Sequence, residues 1–250
     1  MDAVTWPHAI ERILAWAAAG ESRLVCLCNV HSLVTARSDK AHHTALCAAD
    51  MVAADGAPIA WMLRRRGIGG QERISGPDLM WRCCAEAARH GLSIYLYGGS
   101  PAVLPSLEQK LRATFQDLKI AGAYSPPFRA LTADEEASVV QRINTSGANL
   151  IWVGLGCPKQ EAFMNAQKSR IRAVMIGVGA AFDFHSGTLK RAPLWMQGVG
   201  LEWLYRLAQD PKRLARRYLI GNAIFLYSAA IDLCLPQRQS GQMVGREPIR

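Results

Sequence analysis

Short apolar runs alternate along the chain with longer segments in which apolar residues recur every three or four positions. This alternation restricts the fold more than any other feature of the sequence. Six runs are predicted to be strands: residues 24–28, 50–54, 93–97, 119–124, 150–154 and 173–177. Several are apolar throughout, as is typical of strands that helices cover on both faces of a parallel sheet. The pattern therefore predicts an α/β fold, with a Rossmann-like, doubly wound and mostly parallel sheet.

Each predicted strand ends in a turn rich in glycine or polar residues. The turns cover residues 29–32, 55–58, 98–101, 124–129, 154–161 and 177–187. In doubly wound sheets, ligands bind beyond the carboxyl ends of the strands. All six turns are therefore expected on one edge of the sheet, where they would line a single cleft.

The composition excludes several classes of protein. Half of the 250 residues are apolar, which is enough for a buried core. The seven cysteines are an odd number and two are adjacent, which indicates reduced thiols in a cytosolic compartment. Cys26 and Cys28 share one face of a strand, but no further ligands stand at the spacing usual for a metal site. The chain does not start like a signal peptide, and no stretch of ~20 apolar residues is free of charge.

Charge and composition change near residue 190. The net charge of +9 suits an anionic partner, such as nucleic acid, acidic lipid or a phosphorylated substrate. Nucleic acid is the least favoured, because the sequence has no nucleic-acid-binding motif. Basic residues after 189 lead into an apolar stretch at 218–235 and then a polar end. We therefore divide the chain into a Rossmann-like domain, 1–189, and a basic and apolar C-terminal helical appendage, 190–250.

The turn at 154–161 is the strongest candidate for phosphate binding. Gly154 and Gly156 would let a ligand approach the backbone, and Pro158 is expected at the first position of a helix. A helix N-terminus presents free N–H groups and Lys159 adds a positive charge, so a phosphate fits there. An ordinary strand-to-helix turn with a surface lysine would show the same residues, and the local sequence does not decide between the two.

A second glycine turn and a carboxylate follow other strands. Gly98 and Gly99 repeat the turn pattern, and two such turns on one edge favour nucleotide binding. Asp55 follows an apolar run, where burial would raise its pKa toward that of a general base, although an Asp-Gly turn needs no such role. The competing titratable groups on this edge are His31, Asp183 and His185, the last of which is also typical of a structural histidine.

Aromatic and basic residues interleave in the segment 202–218. Arg206, Arg213 and Arg217 fall near one helical face if the helices continue. Arginine binds phosphate in a bidentate way, and arginine beside tryptophan and tyrosine is typical of a helix at a membrane surface. A solvated charged face would show the same pattern.

Two blocks of sequence are more specific than the isolated turns. One is Val-Gly-Leu-Gly-Cys-Pro-Lys-Gln-Glu at 153–161, and the other runs from 177 through Arg-Ala-Pro at 191–193 to Glu-Trp-Leu-Tyr-Arg at 202–206. Together with Asp-Gly at 55–56, Gly-Pro-Asp at 76–78, Tyr-Gly-Gly at 97–99 and the segments 122–129 and 211–218, they resemble the WecG/TagA/CpsF family of bacterial glycosyltransferases. The resemblance covers roughly residues 20–220.

The resemblance implies an inverting transfer of a hexose or N-acetylhexosamine from a UDP-sugar to a polyprenyl-diphosphate-linked sugar, in exopolysaccharide or cell-wall polymer synthesis. It implies a peripheral enzyme on the cytoplasmic face of the plasma membrane. It implies no metal and no cofactor beyond the UDP-sugar donor, and the sequence has no Asp-x-Asp motif. A homo-oligomer stays open. The alternative function is a non-catalytic scaffold that binds a nucleotide-sugar in a polysaccharide assembly complex.

The resemblance also assigns roles to residues. Asp55 matches the proposed general base, which deprotonates the acceptor hydroxyl, and Asn29 in the adjoining loop is expected to be catalytic as well. The resemblance thus makes 1–189 the catalytic domain and 190–250 the part that docks on the membrane. Contacts to the nucleotide-sugar are expected from Gly98, Gly99, Tyr124, Gly154, Gly156, Pro158, Lys159, Gln160 and Glu161. The acceptor diphosphate and the membrane surface are expected to meet Arg191, Arg206, Arg213, Arg216 and Arg217.

One loop departs from the family pattern. Many relatives have Thr-x-Asn-x-Glu after the first strand, whereas this chain has Leu-Cys-Asn-Val-His at 27–31, so only Asn29 matches. This variant is closer to that of the exopolysaccharide enzymes. A glucosyl donor is therefore as consistent with the sequence as an N-acetylmannosaminyl donor.

Overall fold

All six predicted strands are present in the computed structural model, which describes residues 1–234. They are β1 (Arg23–Cys28), β2 (Met51–Ala54), β3 (Ser93–Gly98), β4 (Lys119–Tyr124), β5 (Leu150–Gly154) and β6 (Val174–Gly177). They form one parallel sheet in the order β2-β1-β6-β5-β3-β4. The predicted α/β fold with a Rossmann-like parallel sheet is therefore confirmed.

Helices fill the connections between the strands and continue after the last strand. They are α1 (Trp6–Ala18), α2 (Val30–Ser38), α3 (Lys40–Ala48), α4 (Ala57–Arg65), α5 (Gly76–Arg89), α6 (Val103–Thr114), α7 (Ala133–Ser146), α8 (Lys159–Gln167), α9 (Ala181–Ser186), α10 (Leu194–Gly198), α11 (Glu202–Gln209) and α12 (Pro211–Cys234). Local signals set their ends: Thr132 and Glu135 form a capping box at the start of α7, and Gly147 ends it in the left-handed conformation. The sequence predicts Pro158 inside α8, but the helix begins one residue later and Pro158 is its N-cap.

Side chains along each strand alternate between two hydrophobic cores. On β1, Leu24 and Cys26 belong to the core with α3, α7 and α8, whereas Val25 and Leu27 belong to the core with α1, α5, α6 and α9. Where the chain moves from one strand toward the β2 edge, the connecting helices lie on the face that carries α3, α7 and α8. Where it moves toward the β4 edge, they lie on the face that carries α5 and α6. This segregation follows from the constant handedness of parallel crossovers. Because both faces are covered, a ligand is expected at the strand ends.

The helices after β6 pack back on the sheet domain. Phe225 and Ala229 of α12 are buried against Ala54, Ile59 and Ala60. The remaining surface of α10 and α12 exposes large apolar side chains, including Leu194, Trp195, Leu219, Ile220, Leu226 and Tyr227, and Val199 just after α10 is exposed too. None of the helices within residues 1–234 is long and apolar enough to cross a membrane.

The predicted helical segment after residue 189 is confirmed as far as residue 234. The division of the chain at residue 189 stays a prediction. The last residue of the predicted apolar stretch, 235, and the polar end, 236–250, lie outside the described residues.

Candidate functional site

Asn29 and Asp55 form a polar pair at the ends of the neighbouring strands β1 and β2. Because Cys28 pairs with Ala54 in the sheet register, the next residue of each strand leaves the sheet at the same point. Asn29 is the N-cap of α2: its Oδ1 accepts a hydrogen bond from the Ser32 N–H at 3.1 Å, and its Nδ2 lies 3.5 Å from Asp55 Oδ2. The capping bond fixes the orientation of the amide, so the amide can hold the carboxylate in place.

Burial raises the pKa of the Asp55 carboxyl above its ordinary value of 3.8. The positive charge of Arg73 opposes this rise in pKa, and the negative charge of Glu202 adds to it. The hydrogen bond from Asn29 and the charge of Arg206 also lower the pKa. Asp55 therefore takes up a proton more readily than an exposed aspartate, which is the property that a general base needs.

Two of the predicted nucleotide-binding glycines make room for one aromatic ring, and a third makes room for a neighbouring strand end. A Cβ on Gly154 would lie 2.8 Å from the ring of Phe182, and a Cβ on Gly99 would lie 3.1 Å from it. A Cβ on Gly98 would lie 2.7 Å from the backbone of Gly154. Gly156 differs, because its φ is +78° and no atom lies within 4 Å of the position its Cβ would take. Of these four glycines, Gly156 borders the open space in which a ligand could approach the backbone.

Gln160 is buried, and its side chain is hydrogen-bonded to two turns. Its Oε1 accepts hydrogen bonds from the Gly156 N–H at 3.2 Å and from the Gly179 N–H at 3.0 Å, and its Nε2 donates to Glu161 Oε1 at 2.9 Å. Both polar ends of the amide are therefore engaged with the protein. Gln160 and Glu161 thus lie beneath the turn that carries Gly156 and orient it, rather than facing the cleft themselves.

Lys159 and Phe128 project from the same end of the sheet. Lys159 is exposed, and its Nζ lies 4.6 Å from the centroid of the Phe128 ring. Phe128 is 99% exposed, which makes it a candidate for stacking with a base. Tyr124 turns toward the sheet face instead, where its ring lies 6.2 Å from that of Tyr97 and beneath the guanidinium of Arg142.

Arg206 and Arg217 are partly buried cations at the cleft. The guanidinium of Arg206 lies 5.4 Å from the centroid of the Phe184 ring, and its charge lowers the pKa of both Asp55 and Asp183. Burial lowers the pKa of Arg217, and its Nε has no hydrogen-bond partner. Within residues 1–234, neither arginine forms an ion pair. Both guanidinium groups therefore carry a charge that no acidic side chain within residues 1–234 neutralises.

Arg191 is engaged within the protein. It donates to Asp78 Oδ1 at 2.5 Å and to Oδ2 at 2.7 Å, and its Nε lies 3.5 Å from Glu202 Oε1. Glu202 also pairs with Arg73, which donates to the Gln197 carbonyl oxygen at 3.2 Å. These ion pairs connect the start of α11 to the sheet domain. The predicted contact of Arg191 with a diphosphate would have to compete with this network.

The last two predicted arginines lie on α12. Arg213 is exposed and pairs with Asp210 at 2.6 Å, and Arg216 is exposed. Repulsion from Arg206 and Arg213 contributes to the lowered pKa of Arg217. The spacing predicts one helical face for Arg206, Arg213 and Arg217 only if the helices continue, but α11 ends at Gln209 and α12 begins at Pro211. The charge of Arg206 nevertheless acts on Arg217 across this break.

The competing histidines have different settings. Burial lowers the pKa of His31 to about 4, and the charges of Arg217 and His42 add to the effect. His185 donates from Nε2 to the Pro77 carbonyl oxygen at 2.8 Å and stacks on Trp81, with ring centroids 4.4 Å apart. His185 is thus a structural histidine, whereas His31 is a neutral group beside the cationic cluster.

A covered parallel sheet with a carboxylate, an open glycine turn and unpaired arginines at its carboxyl edge is suited to bind an anionic ligand beside a base. The family model described as "Glycosyl transferase WecG/TagA/CpsF family" matches residues 1–239, nearly the whole chain. The chain therefore belongs to this family of glycosyltransferases.

Sequence reasoning missed three residues that the structure places at the site. The charges of Arg73 and Glu202 shift the pKa of Asp55. Arg73 lies in a loop without a motif, and Glu202 belongs to a motif that predicts no such role. Phe128 follows two prolines in a turn, and an aromatic residue in such an exposed turn is a signal that could have identified it.

Proposed function

We propose that this glycosyltransferase is an inverting enzyme that moves a hexose or N-acetylhexosamine from a UDP-sugar to a polyprenyl-diphosphate-linked sugar. We place it in exopolysaccharide or cell-wall polymer synthesis, at the cytoplasmic face of the plasma membrane. The observation that carries the proposal is the Asp55 carboxyl, which has a raised pKa, is held by Asn29 and lies on the same sheet edge as the open Gly156 turn.

In this mechanism Asp55 removes the proton from the attacking hydroxyl of the acceptor sugar. The hydroxyl oxygen forms the new bond to the anomeric carbon of the donor, from the side opposite the nucleotide. The bond between that carbon and the diphosphate oxygen breaks, and UDP leaves with the electron pair. The configuration at the anomeric carbon is therefore inverted.

The leaving UDP needs positive charge and hydrogen-bond donors. At the start of α8 the Gln160 N–H is bonded to the Gly156 carbonyl oxygen, so the backbone N–H and the side-chain cation of Lys159 are the groups proposed to meet the diphosphate. The hydrogen bonds from the Gly156 and Gly179 N–H groups to Gln160 keep this turn in position. Phe128 is then suited to stack against the uracil ring.

The acceptor diphosphate is assigned to the cations of α11 and α12. Arg206 lies close enough for its charge to act on Asp55, and Arg217 has an unpaired Nε. A diphosphate bound between them would bring the acceptor sugar toward the base. Arg213 and Arg216, which are exposed on α12, add charge for anionic lipid headgroups.

Exposed apolar side chains support a membrane-facing surface on α10 and α12. Leu194 is 83% exposed and Trp195 is 66% exposed, and both lie on α10. Leu219 and Ile220 of α12 are also exposed, next to Arg216. Apolar and aromatic side chains beside arginines are typical of helices that bind a lipid surface. The protein should therefore co-sediment with vesicles of acidic lipid, and less so at high salt.

The test of the proposed function is UDP release by the purified protein across a panel of UDP-sugars, with and without a polyprenyl-diphosphate-linked sugar. Acceptor-dependent release with one donor supports the transferase and identifies its sugar. UDP binding without release from any donor, in a folded protein, would support the scaffold instead.

A further inference from the structure

A cluster of side chains beneath the Gly156 turn combines the three kinds of atom that bind zinc. His42 lies on α3, Cys157 in the turn before α8 and Glu161 in the first turn of α8. Their ligand atoms all lie within 4.8 Å of one another, although the histidine is 115 residues from the cysteine in the chain. His42 and Glu161 are buried, and Cys157 is partly exposed.

Two buried atoms in this cluster have no hydrogen-bond partner. The Nε2 atom of His42 lies 3.0 Å from Ser32 Oγ, whereas its Nδ1 atom has no hydrogen-bond partner. Glu161 Oε1 accepts from Gln160 Nε2, which leaves Oε2 unpaired. Nδ1 and Oε2 face each other at 3.8 Å, which is too long for a hydrogen bond. Leaving both groups buried and unpaired is costly, so a group between them would relieve the cost.

We propose that His42 Nδ1, Glu161 Oε2 and Cys157 Sγ bind one Zn²⁺ ion. Ligands 2.0–2.1 Å from a tetrahedral zinc stand about 3.3 Å apart, so Nδ1 and Oε2 need to approach by only about half an ångström. The sulfur atom now lies 3.7 Å from Nε2 and would turn toward the Nδ1 side. It loses its proton to solvent when the metal binds.

The charges and the surrounding hydrogen bonds fit zinc. A thiolate and a carboxylate together neutralise Zn²⁺, which matters because the site is buried. A neutral imidazole with one nitrogen held by a hydroxyl, and a carboxylate with one oxygen held by an amide, are the outer contacts that orient zinc ligands. Nitrogen, sulfur and oxygen together favour zinc over the hard cations calcium and magnesium.

The ion would connect α3 to the turn between β5 and α8. That turn carries Gly156 and Lys159, the residues proposed to bind the donor diphosphate. The partly exposed Cys157 leaves a fourth position open to water and a path for the metal to enter. The ion would hold the turn in position and is separate from the proton transfer at Asp55, so this inference does not rest on the proposed function.

The test is Co²⁺ binding to the full chain after treatment with a chelator. We expect one equivalent per chain with a thiolate-to-cobalt absorption band, and displacement of the band by Zn²⁺. Cys157→Ser should abolish the band, and His42→Ala and Glu161→Gln should weaken binding by more than about 100-fold. Ser32→Ala, which removes only an outer contact, should weaken it by about 10- to 100-fold.

The chain contains a matched control on its surface. The exposed Cys47 lies 3.9 Å from both ring nitrogens of His43, so this pair reports adventitious binding. Cys47→Ser should retain the full band. Absence of a thiolate band in the wild-type protein overturns the proposal even if the buried variants fail to fold. So does loss of the band in Cys47→Ser with retention in Cys157→Ser.

Discussion

The two halves of the carboxyl edge of the sheet differ in what their turns do. At the ends of β1 and β2, Asn29 and Asp55 place polar groups together at the cleft. At the ends of β3 and β5, Gly99 and Gly154 make room for the ring of Phe182. The local sequences of both halves predict ligand binding. The structure separates a polar half, which carries the candidate base, from a packed half, where the strand ends close on Phe182 and the Gly156 turn beyond β5 stays open.

This difference shows that glycine at a strand end has more than one physical cause. A missing Cβ allows a ligand to approach, but it also allows a neighbouring aromatic ring to pack. Gly156 has open space beside it and Gly154 does not. The space around each glycine, rather than its position in a motif, distinguishes the two roles.

The largest effect is expected at the base of the polar half. Asp55→Asn should lower kcat by about 10²–10⁴, because it removes the proton acceptor while conserving shape. UDP release with acceptor present is the measurement. Asp183→Asn is the matched control, since burial raises the pKa of Asp183 too, and its loss should stay below about 10-fold. Full activity in Asp55→Asn would remove this residue from the role of base.

The packed half is tested by stability. Gly154→Ala places a Cβ 2.8 Å from the Phe182 ring and should lower the free energy of unfolding by about 1–3 kcal/mol. Phe182→Leu should relieve part of this loss, so the double variant is more stable than the sum of the single effects predicts. Gly156→Ala, with only backbone strain of about 1–2 kcal/mol, should gain nothing from Phe182→Leu. The measurement is the free energy of unfolding in denaturant. If the effects of Gly154→Ala and Phe182→Leu simply add, Gly154 does not make room for the Phe182 ring.

Arg206 is expected to contribute to acceptor binding, and Arg191 to the stability of the fold. Arg206→Gln should raise KM for the lipid-linked acceptor by about 10-fold, since one charge-assisted contact is lost, and leave stability nearly unchanged. Arg191→Gln should instead cost about 1.5–3 kcal/mol of unfolding free energy, because Asp78 loses its ion pair and Glu202 keeps only Arg73. Acceptor kinetics and thermal unfolding of both variants are compared. The reverse pattern would place Arg191 at the diphosphate.

The pH dependence sharpens the assignment of Asp55. Since its ionised form is the base and its pKa is raised, kcat/KM should fall toward acid with a midpoint above the ordinary value of 3.8. The hydrogen bond from Asn29 lowers this pKa, so Asn29→Ala should move the midpoint further up. A midpoint at 3.8 or below in the wild type would contradict a buried base.

The smallest effect concerns His31. Its pKa of about 4 in the folded protein lies below the ordinary 6.5, so the unfolded chain binds the proton more tightly. The stability contributed by neutral His31 is present above pH 6.5 and is lost as the pH falls toward about 4. His31→Gln should flatten that part of the curve of unfolding free energy against pH. An unchanged slope would mean that the ring is solvated.

Much of the fold could be predicted because its signals are local. The predicted ends of the six strands, such as β4 and β5, lie within one residue of those observed. The shared edge for Asn29 and Asp55 also follows from parallel strands. The contacts of Gln160 and Tyr124 could not be predicted, because residues distant in the chain hold both side chains. Gln160 is oriented by Gly179, and Tyr124 by Tyr97 and Arg142.

The sequence by itself determined the alternation of strands and helices, the common edge of the turns and the family. These depend on apolar spacing, turn residues and motifs, which act over a few positions. Only the tertiary structure decided that β1 lies beside β2, that Arg73 and Glu202 flank Asp55 and that His42 meets Glu161. The physical reason is that burial and charge interactions depend on distance in space, and the order of strands in the sheet sets that distance.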